Sequence, residues 1–317
     1  MNVSNFELLW PAYDAYAVWI RPWVEDRDLT LPIFLMAFFV TAGCGLVGNY
    51  LLLRRSVLVG DAISHSLLPG IIVVFLLFDS LDWPLLFLSA VVTGVIAVWL
   101  AEVLHRQTVI PKDSAWCVTF TSLFALGVLM LSLIERQAPI HLDVECLLFG
   151  EIAFVALEPS LKVAGVSLGP HTLWVMAGLC VFIGLLILLF YKELLVITFD
   201  ETLARLQGRK VGLWHYGMMA IVAVVIVAVL QAVGVILVVA MLILPGMTAS
   251  ELSTRLPGRL LWTLAYALIT PLLGYPLAVW WQCTVAGSMV VVGALVFTSV
   301  WLIKRWFFRE KTVFVSP

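Results

Sequence analysis

The stretch Gly60-Asp61-Ala62-Ile63-Ser64-His65-Ser66-Leu67-Leu68-Pro69-Gly70 places a carboxylate and an imidazole within a strongly apolar chain. If this run is helical, Asp61 and His65 lie one turn apart on the same face. A charged side chain at the centre of a membrane helix costs about 2.5–3.5 kcal/mol on insertion scales. Residues kept at that cost usually face a bundle interior or a water-filled path.

The composition around this stretch is that of a membrane protein. The chain has 317 residues, of which 63% are hydrophobic and 12% are charged, and its mean hydropathy is +1.09. A soluble domain has roughly 25% charged residues. We therefore predict an all-α, polytopic helical membrane protein with about 8–9 transmembrane helices. Continuous apolar runs, rather than alternating ones, disfavour an outer-membrane barrel.

The apolar runs define nine predicted spans. They cover residues 32–53, 57–78, 84–104, 115–134, 171–191, 214–234, 235–250, 259–280 and 285–303. The run from Tyr216 to Ala249 is too long for one crossing at about 1.5 Å per residue. Gln231 and Gly234 indicate a break within it, and eight spans with a re-entrant piece is the alternative.

The basic residues predict the orientation of these spans. Fourteen of the 18 Lys and Arg residues fall on one side, a strong positive-inside bias. The other four are Arg21, Arg27, Arg136 and Lys162. We predict an external N-terminus and a cytoplasmic C-terminus. Acidic residues outnumber basic ones on the predicted external side. One interpretation is that their summed charge concentrates cations there. The alternative is a solvated acidic face that binds no ligand.

We predict three regions along the chain: an external N-terminal segment (1–31), a single transmembrane domain (32–303) and a cytoplasmic tail (304–317). Residues 1–31 lack the basic start and apolar core of a signal peptide. Residues 135–170 are too charged to span and are predicted to be interfacial or partly re-entrant. The five cysteines are widely separated and predict neither a disulfide framework nor a zinc motif.

Asp61 and His65 form the leading candidate site. A hard oxygen ligand together with an imidazole suits divalent Mn, Zn or Fe better than an alkali ion. Two ligands are too few for a closed structural site, but a permeating ion must be able to leave again. The alternative is structural, with Asp61 capping a helix that begins after Gly60 and His65 packing against Pro69.

Other motifs are weaker or missing. His141, Asp143, Glu145 and Cys146 match no metal-binding spacing and are better suited to accepting a docking protein. The chain has no H-E-x-x-H, no G-x-S-x-G and no G-x-x-x-x-G-K-[ST]. We therefore predict a conduit rather than an enzyme, with any ATP hydrolysis performed by a partner chain.

A short cytoplasmic helix is predicted within residues 199–208. Asp200 suits its N-cap and Gly208 its C-terminal stop. Such a segment is typical of a docking surface for a cytoplasmic partner, or of an ordinary connecting helix.

Four segments resemble the integral membrane permeases of ABC-type manganese, zinc and iron uptake systems. The resemblance runs from about residue 32 to residue 303. Its carriers are Leu52-Leu53-Arg54-Arg55 leading into Gly60–Gly70, Ser122–Val128, Phe199–Arg205 with Gly208, and Gln231–Leu237 followed by Leu244-Pro245.

The resemblance implies a bacterial plasma-membrane permease that moves Mn²⁺, Zn²⁺ or Fe²⁺ inward and has no permanently bound cofactor. It implies three protein partners: a cytoplasmic ABC ATPase dimer, an external metal-binding protein and a second permease subunit that is identical or paralogous. The chain would also contact membrane lipid, and it would bind no nucleic acid. Asp61 and His65 would bind the metal in the path. The ATPase-coupling residues would be Asp200, Glu201, Ala204, Arg205 and Gly208. The alternative function is a proton-coupled secondary divalent-metal transporter.

Overall fold

The computed structural model describes residues 14–56, 58–78, 83–135, 152–157, 160–163 and 166–307. Its α-helices are α1 (Arg21–Val24), α2 (Arg27–Leu53), α3 (Leu58–Ser66), α4 (Leu68–Phe78), α5 (Trp83–Gln107), α6 (Lys112–Glu135), α7 (His171–Leu189), α8 (Tyr191–Phe199), α9 (Glu201–Leu206), α10 (Val211–Val233), α11 (Val235–Leu252), α12 (Leu256–Trp281) and α13 (Val285–Phe307). A π-helical segment (Tyr16–Ile20), a 3-10 helix (Ile152–Leu157) and the strands β1 (Ser160–Val163) and β2 (Val166–Pro170) complete the described elements.

Nine helical segments of the described chain are long and apolar enough to cross a membrane, with α3 and α4 counted together as Leu58–Phe78. This confirms the predicted all-α membrane fold. The predicted break in the long apolar run lies between α10 and α11, where Gly234 has a φ of +80°. Its N–H donates to the Leu230 carbonyl at 2.9 Å and ends α10. Glycine suits this position because a Cβ would make the positive φ strained.

Three features of the structure differ from the hydropathy pattern by more than small shifts of helix ends. Helix α2 begins at Arg27 rather than at residue 32, and the fully buried Thr30 hydroxyl in its added turn lies 3.2 Å from the Tyr275 hydroxyl. The predicted span 57–78 is two helices joined at Leu67. Part of segment 135–170 is an antiparallel hairpin, with Lys162 opposite Ser167. Tertiary burial and local backbone pairing, which hydropathy does not report, explain these differences.

The chain divides into two compact units. The first contains residues 1–49, 151–182 and 240–317, and the second contains residues 50–150 and 183–239. The single permease domain over 32–303, with separate segments on either side, stays a prediction.

In the first unit, α2 packs closely against α11 and α12. Asn49 is buried and its Nδ2 donates to the Gly45 carbonyl at 2.8 Å and to Thr263 Oγ1 at 2.7 Å. One turn away, a Cβ on Gly48 would meet the main-chain carbonyl oxygen of Leu242. Backbones that approach this closely through small residues are a common form of packing between membrane helices.

In the second unit, α3 and α4 pack against α5 and α6, and α10 contacts both α3 and α5. Three of these helices meet at Gly94, where a Cβ would lie 3.2 Å from Ala223 Cβ and 3.4 Å from Ile63 Cγ2. Helix α3, which carries Asp61 and His65, is therefore held on several sides by apolar packing.

Candidate metal-ion site and coupling segment

Asp61 and His65 lie side by side on α3, and His65 Nε2 is 3.3 Å from Asp61 Oδ1. Their i, i+4 spacing predicts this proximity once the run is helical. The Asp61 side chain is 40% exposed and that of His65 is 33% exposed, whereas Ala62 and Ile63 between them are buried. The carboxylate and imidazole therefore share the accessible face of the helix.

The capping alternative for Asp61 is wrong. Helix α3 begins at Leu58, and the N–H of Val59 already donates to the Ser56 carbonyl at 3.3 Å. Asp61 therefore lies within the first turn of the helix rather than at its N-cap. Its carboxylate has no capping role that would account for its presence.

Two aromatic rings of α6 form the apolar side of the pair. The His65 ring centroid lies 6.0 Å from that of Phe120 and 5.8 Å from that of Phe124, and the second contact is edge-on. These rings shield the imidazole from water and restrict its rotation. The His65 nitrogen that faces Asp61 is consequently held in a defined direction.

The motif's serines bond within their own helix. Ser64 Oγ donates to the Gly60 carbonyl at 3.0 Å, and Ser66 Oγ donates to the Ile63 carbonyl at 2.9 Å. No group of three or more His, Cys, Asp or Glu side chains within the described ranges could hold a metal ion. Among the described residues the candidate site therefore consists of Asp61 and His65, and their role as metal ligands stays a prediction.

The motif ends in a helix break that is packed on both sides. Pro69 has no N–H to continue the helix, and the Leu67 carbonyl accepts from Gly70 at 3.1 Å and from Ile71 at 3.2 Å. A Cβ on Gly70 would meet the Thr93 hydroxyl of α5, and one on Gly127 of α6 would lie 2.9 Å from Leu68 Cγ. The break is a tightly supported feature just beyond the Asp61–His65 pair.

The predicted caps of the helix within residues 199–208 are confirmed. Asp200 Oδ1 accepts from the N–H of Leu203 at 2.9 Å, which makes Asp200 the N-cap of α9. At the other end Gly208 has a φ of +75°, and its N–H donates to the Arg205 carbonyl at 3.0 Å. The Arg209 N–H donates to the Ala204 carbonyl at 3.0 Å, a typical glycine-terminated helix end.

Helix α9 is attached through Ala204, which is fully buried in a small cluster with Ile197 and Val211. Leu203 and Leu206 are exposed and leave an apolar surface on the helix. Arg209 Nη1, just after α9, lies 3.4 Å from Glu193 Oε1 on α8. The side chain of Glu201 lies outside the described set. The coupling roles of Asp200, Glu201, Ala204, Arg205 and Gly208 all stay predictions.

A second polar cluster, which the sequence reasoning missed, lies beside α9. Glu102 Oε1 accepts from Arg106 Nε at 2.8 Å, and Glu102 Oε2 lies 3.7 Å from His215 Nε2. The Glu102 and His215 side chains are only 11% and 10% exposed. Arg205 and Lys112 line the same cavity, whose volume is about 150 Å³. Glu102 lies near the end of an apolar span. An acidic residue in a membrane span usually pairs with another polar group, and this sequence signal could have revealed the cluster.

The predicted loop cluster His141, Asp143, Glu145 and Cys146 lies outside the described residues. The cysteines Cys44, Cys117, Cys180 and Cys283 are free thiols.

The family model and the similar proteins of known name all point to the same family. The ABC 3 transport family matches residues 26–304. The manganese transport system membrane protein MntD of Bacillus subtilis is 38% identical over 270 residues, which are 85% of this chain and 90% of that protein. The zinc transport system membrane protein TroD of Treponema pallidum is 34% identical over 274 residues, covering 86% of this chain and 74% of TroD.

A solved structure has the same fold. A chain of PsaBC from Streptococcus pneumoniae, determined in complex with Fab, superposes with a TM-score of 0.70 at 29% identity. The match covers 90% of this chain and 91% of that chain.

Proposed function

This chain belongs to the ABC 3 transport family, and we propose that it is the pathway subunit through which Mn²⁺ or Zn²⁺ crosses the membrane into the cytoplasm. The observation that carries the proposal is the Asp61–His65 pair at 3.3 Å on an accessible helix face. The names of the relatives supply manganese and zinc. Iron stays a prediction from the sequence resemblance.

The spacing of the pair suits one divalent ion. Transition metals bind carboxylate oxygen and imidazole nitrogen at about 2.0–2.2 Å, so donors 3.3 Å apart subtend an angle of roughly 100° at a shared ion. That angle fits either tetrahedral or octahedral coordination. The pair therefore supports binding of a transition metal without selecting between manganese and zinc.

The incompleteness of the site suits transport. With Asp61 and His65 as its ligands, the site would hold a metal less tightly than a closed four-ligand structural site. We propose that side chains of a second permease subunit, or water molecules bound to the ion, complete the coordination while the ion crosses the membrane. An ion held this way is able to leave when the path opens to the other side.

The proposed partners follow from the family and from the sequence. The chain lacks a P-loop motif, so the energy source would be a separate ABC ATPase dimer on the cytoplasmic side. We propose that α9 docks on that ATPase through its exposed Leu203 and Leu206. An external metal-binding protein would deliver the ion to the acidic outer face.

The orientation of the chain is part of the proposal. The positive-inside bias supports an external N-terminus and a cytoplasmic C-terminus. This orientation would place α9 and the neighbouring Glu102–His215 cluster on the cytoplasmic side.

Contacts within the second unit support a mechanical route from α9 to the metal pair. Helix α9 contacts α8 and α10, and α10 packs against both α3 and α5. The Glu102–His215 contact joins α5 to α10 at the same level as α9. We propose that ATPase-driven movement of α9 passes through α10 to α3, where it would alter access to Asp61 and His65.

Metal uptake by the assembled transporter tests the site. We expect Asp61→Asn and His65→Gln each to abolish uptake in proteoliposomes while the complex still assembles. Asp113→Asn and His171→Gln remove the same functional groups near the starts of α6 and α7 and should leave uptake close to normal. Near-normal uptake by both site variants would rule out the assigned ligands.

The runner-up, a proton-coupled secondary transporter, makes a different prediction. It requires this chain alone to accumulate metal under a pH gradient without ATP. The proposed ABC permease should accumulate metal only with its ATPase and ATP. Gradient-driven accumulation by the isolated chain would overturn the proposed energy source while leaving the Asp61–His65 site intact.

A further inference from the structure

An open pocket of about 540 Å³ lies in the first unit, where the end of α11 and the start of α12 meet the end of α13. Its charged lining residues are Arg255, Lys304 and Glu251, and its apolar lining residues include Val300 and Ile303, which share one face of α13 with Lys304. We propose that this pocket is a binding site for an anionic phospholipid. Its headgroup phosphate would lie against Arg255 and Lys304, and an acyl chain would lie along Val300 and Ile303.

The charged lining of the pocket has an excess of positive charge. Lys304 Nζ donates to Glu251 Oε2 at 2.9 Å, which uses one of the three ammonium hydrogens and leaves the other two without a partner among the described residues. Arg255 lies at the exposed rim and adds a second cation. Two cations facing one carboxylate favour an anionic headgroup.

The rim that carries Arg255 is held by hydrogen bonds around Ser253. The Arg255 N–H donates to Ser253 Oγ at 3.3 Å, and that hydroxyl donates to the Arg255 carbonyl at 3.1 Å. Arg259 Nε donates to the Ser253 carbonyl at 3.1 Å. The short connection between α11 and α12 is therefore an ordered support for the arginine.

The pocket lies at the depth where lipid headgroups are expected. It is formed at the ends of three candidate membrane spans, and the same end of α13 carries Trp301, Arg305 and Trp306. The Arg305 guanidinium lies 5.1 Å from the Trp301 ring centroid, and Trp306 is strongly exposed. Tryptophan is enriched at membrane interfaces, and basic pockets between membrane helices bind anionic headgroups.

The mixed charged and apolar lining distinguishes a lipid from other anions. Ile303 and its neighbour Leu302 are exposed apolar side chains on α13. Free phosphate would use only the cationic residues. An anionic phospholipid would use the cations for its headgroup and the apolar side chains for its acyl chain.

Native mass spectrometry of the full-length protein, in its assembled complex, tests the site with defined lipids. We expect retained phosphatidylglycerol to exceed phosphatidylcholine by about tenfold, and Arg255→Gln to remove most of that preference. Glu251→Gln should increase phosphatidylglycerol retention, because it removes the negative charge and frees Lys304. Lys192→Gln removes a cation from α8 in the second unit and should change nothing.

Four results would overturn the proposal. Equal retention of the two lipids would remove the case for anionic selectivity, and unchanged retention in both Arg255→Gln and Glu251→Gln would place the lipid elsewhere. Displacement of the lipid by millimolar inorganic phosphate would identify a phosphate site instead. Loss of lipid upon assembly, with crosslinks from position 255 to a partner chain, would identify a protein contact. Metal uptake is not the readout, so failure here leaves the proposed transport function untouched.

Discussion

Glu102 on α5 and His215 on α10 meet with their side chains almost fully buried, Oε2 to Nε2 at 3.7 Å. Glu102 is also bonded to Arg106 one turn further along α5, at 2.8 Å. Arg205 of α9 lines the same small cavity. These contacts tie two helices that pack on α3 to the segment proposed to meet the ATPase.

Removing the negative charge of Glu102, and with it the Glu102–His215 and Glu102–Arg106 contacts, should uncouple ATP hydrolysis from transport. Glu102→Gln removes the negative charge that accepts from the Arg106 guanidinium and that lies beside the buried His215 imidazole. We expect metal uptake per ATP hydrolysed to fall while the complex still forms. Simultaneous assays of ATPase rate and uptake in proteoliposomes give this ratio.

The chain contains a matched control. Arg21 Nε and Glu25 Oε2 form the same i, i+4 pair at 3.0 Å, but both side chains are exposed. Exposed pairs of this kind contribute about 0–1 kcal/mol. Glu25→Gln should therefore leave the coupling ratio unchanged, and an equal effect of the two substitutions would argue against a specific role for Glu102.

The Asp61–His65 geometry was predictable from the sequence because it depends on helix periodicity alone. Once residues 58–66 are helical, spacing by four residues brings the two side chains together whatever surrounds them. The caps of α9 were predictable for the same reason, since Asp200 and Gly208 act on backbone groups a few residues away. Local rules sufficed for these features.

Replacing His65 by aspartate should shift metal preference toward manganese. Carboxylate oxygens suit Mn²⁺, whereas imidazole favours Zn²⁺. We expect His65→Asp to lower zinc uptake by roughly tenfold or more and to lower manganese uptake less. Substituting residues that only hydrogen-bond to metal ligands already lowers metal affinity or activity by about tenfold or more. Competition between the two metals in proteoliposomes measures the ratio, with His171→Asp as the control. An equal loss for both metals would contradict a direct ligand role.

The contacts that sequence reasoning missed all depend on tertiary packing. Glu102 and His215 are far apart in the chain, and each lies at the end of an apolar run where no local spacing connects them. The Thr30–Tyr275 contact that lengthens α2 is equally non-local. Pairwise helix packing decides such contacts, and a single sequence with its hydropathy pattern does not encode which helices are neighbours.

Two substitutions of Asp200, the N-cap of α9, distinguish the role of its capping hydrogen bond from the role of its negative charge. Asp200→Ala removes the acceptor for the Leu203 N–H and should cost about 0.5–2 kcal/mol of local helix stability. Asp200→Asn keeps an acceptor oxygen while removing the charge. We expect only the alanine variant to weaken ATPase retention in a pull-down of the solubilised complex. If asparagine weakens it as strongly, Asp200 contributes through its charge instead of through the helix cap.

The close approach of α2 to α11 in the first unit should be intolerant of a single methyl group. A Cβ on Gly48 of α2 would meet the Leu242 carbonyl of α11, and main-chain atoms cannot rotate away as a side chain would. We expect Gly48→Ala to destabilise the solubilised protein by about 1–3 kcal/mol, the usual cost of overpacking. Gly178→Ala on α7 is the opposite case, because its Cβ would enter open space and alanine favours a helix by roughly 0.5–1 kcal/mol. Thermal unfolding in detergent should therefore shift downward for Gly48→Ala and stay level or rise for Gly178→Ala, and a downward shift of equal size in both would refute the close approach of α2 to α11.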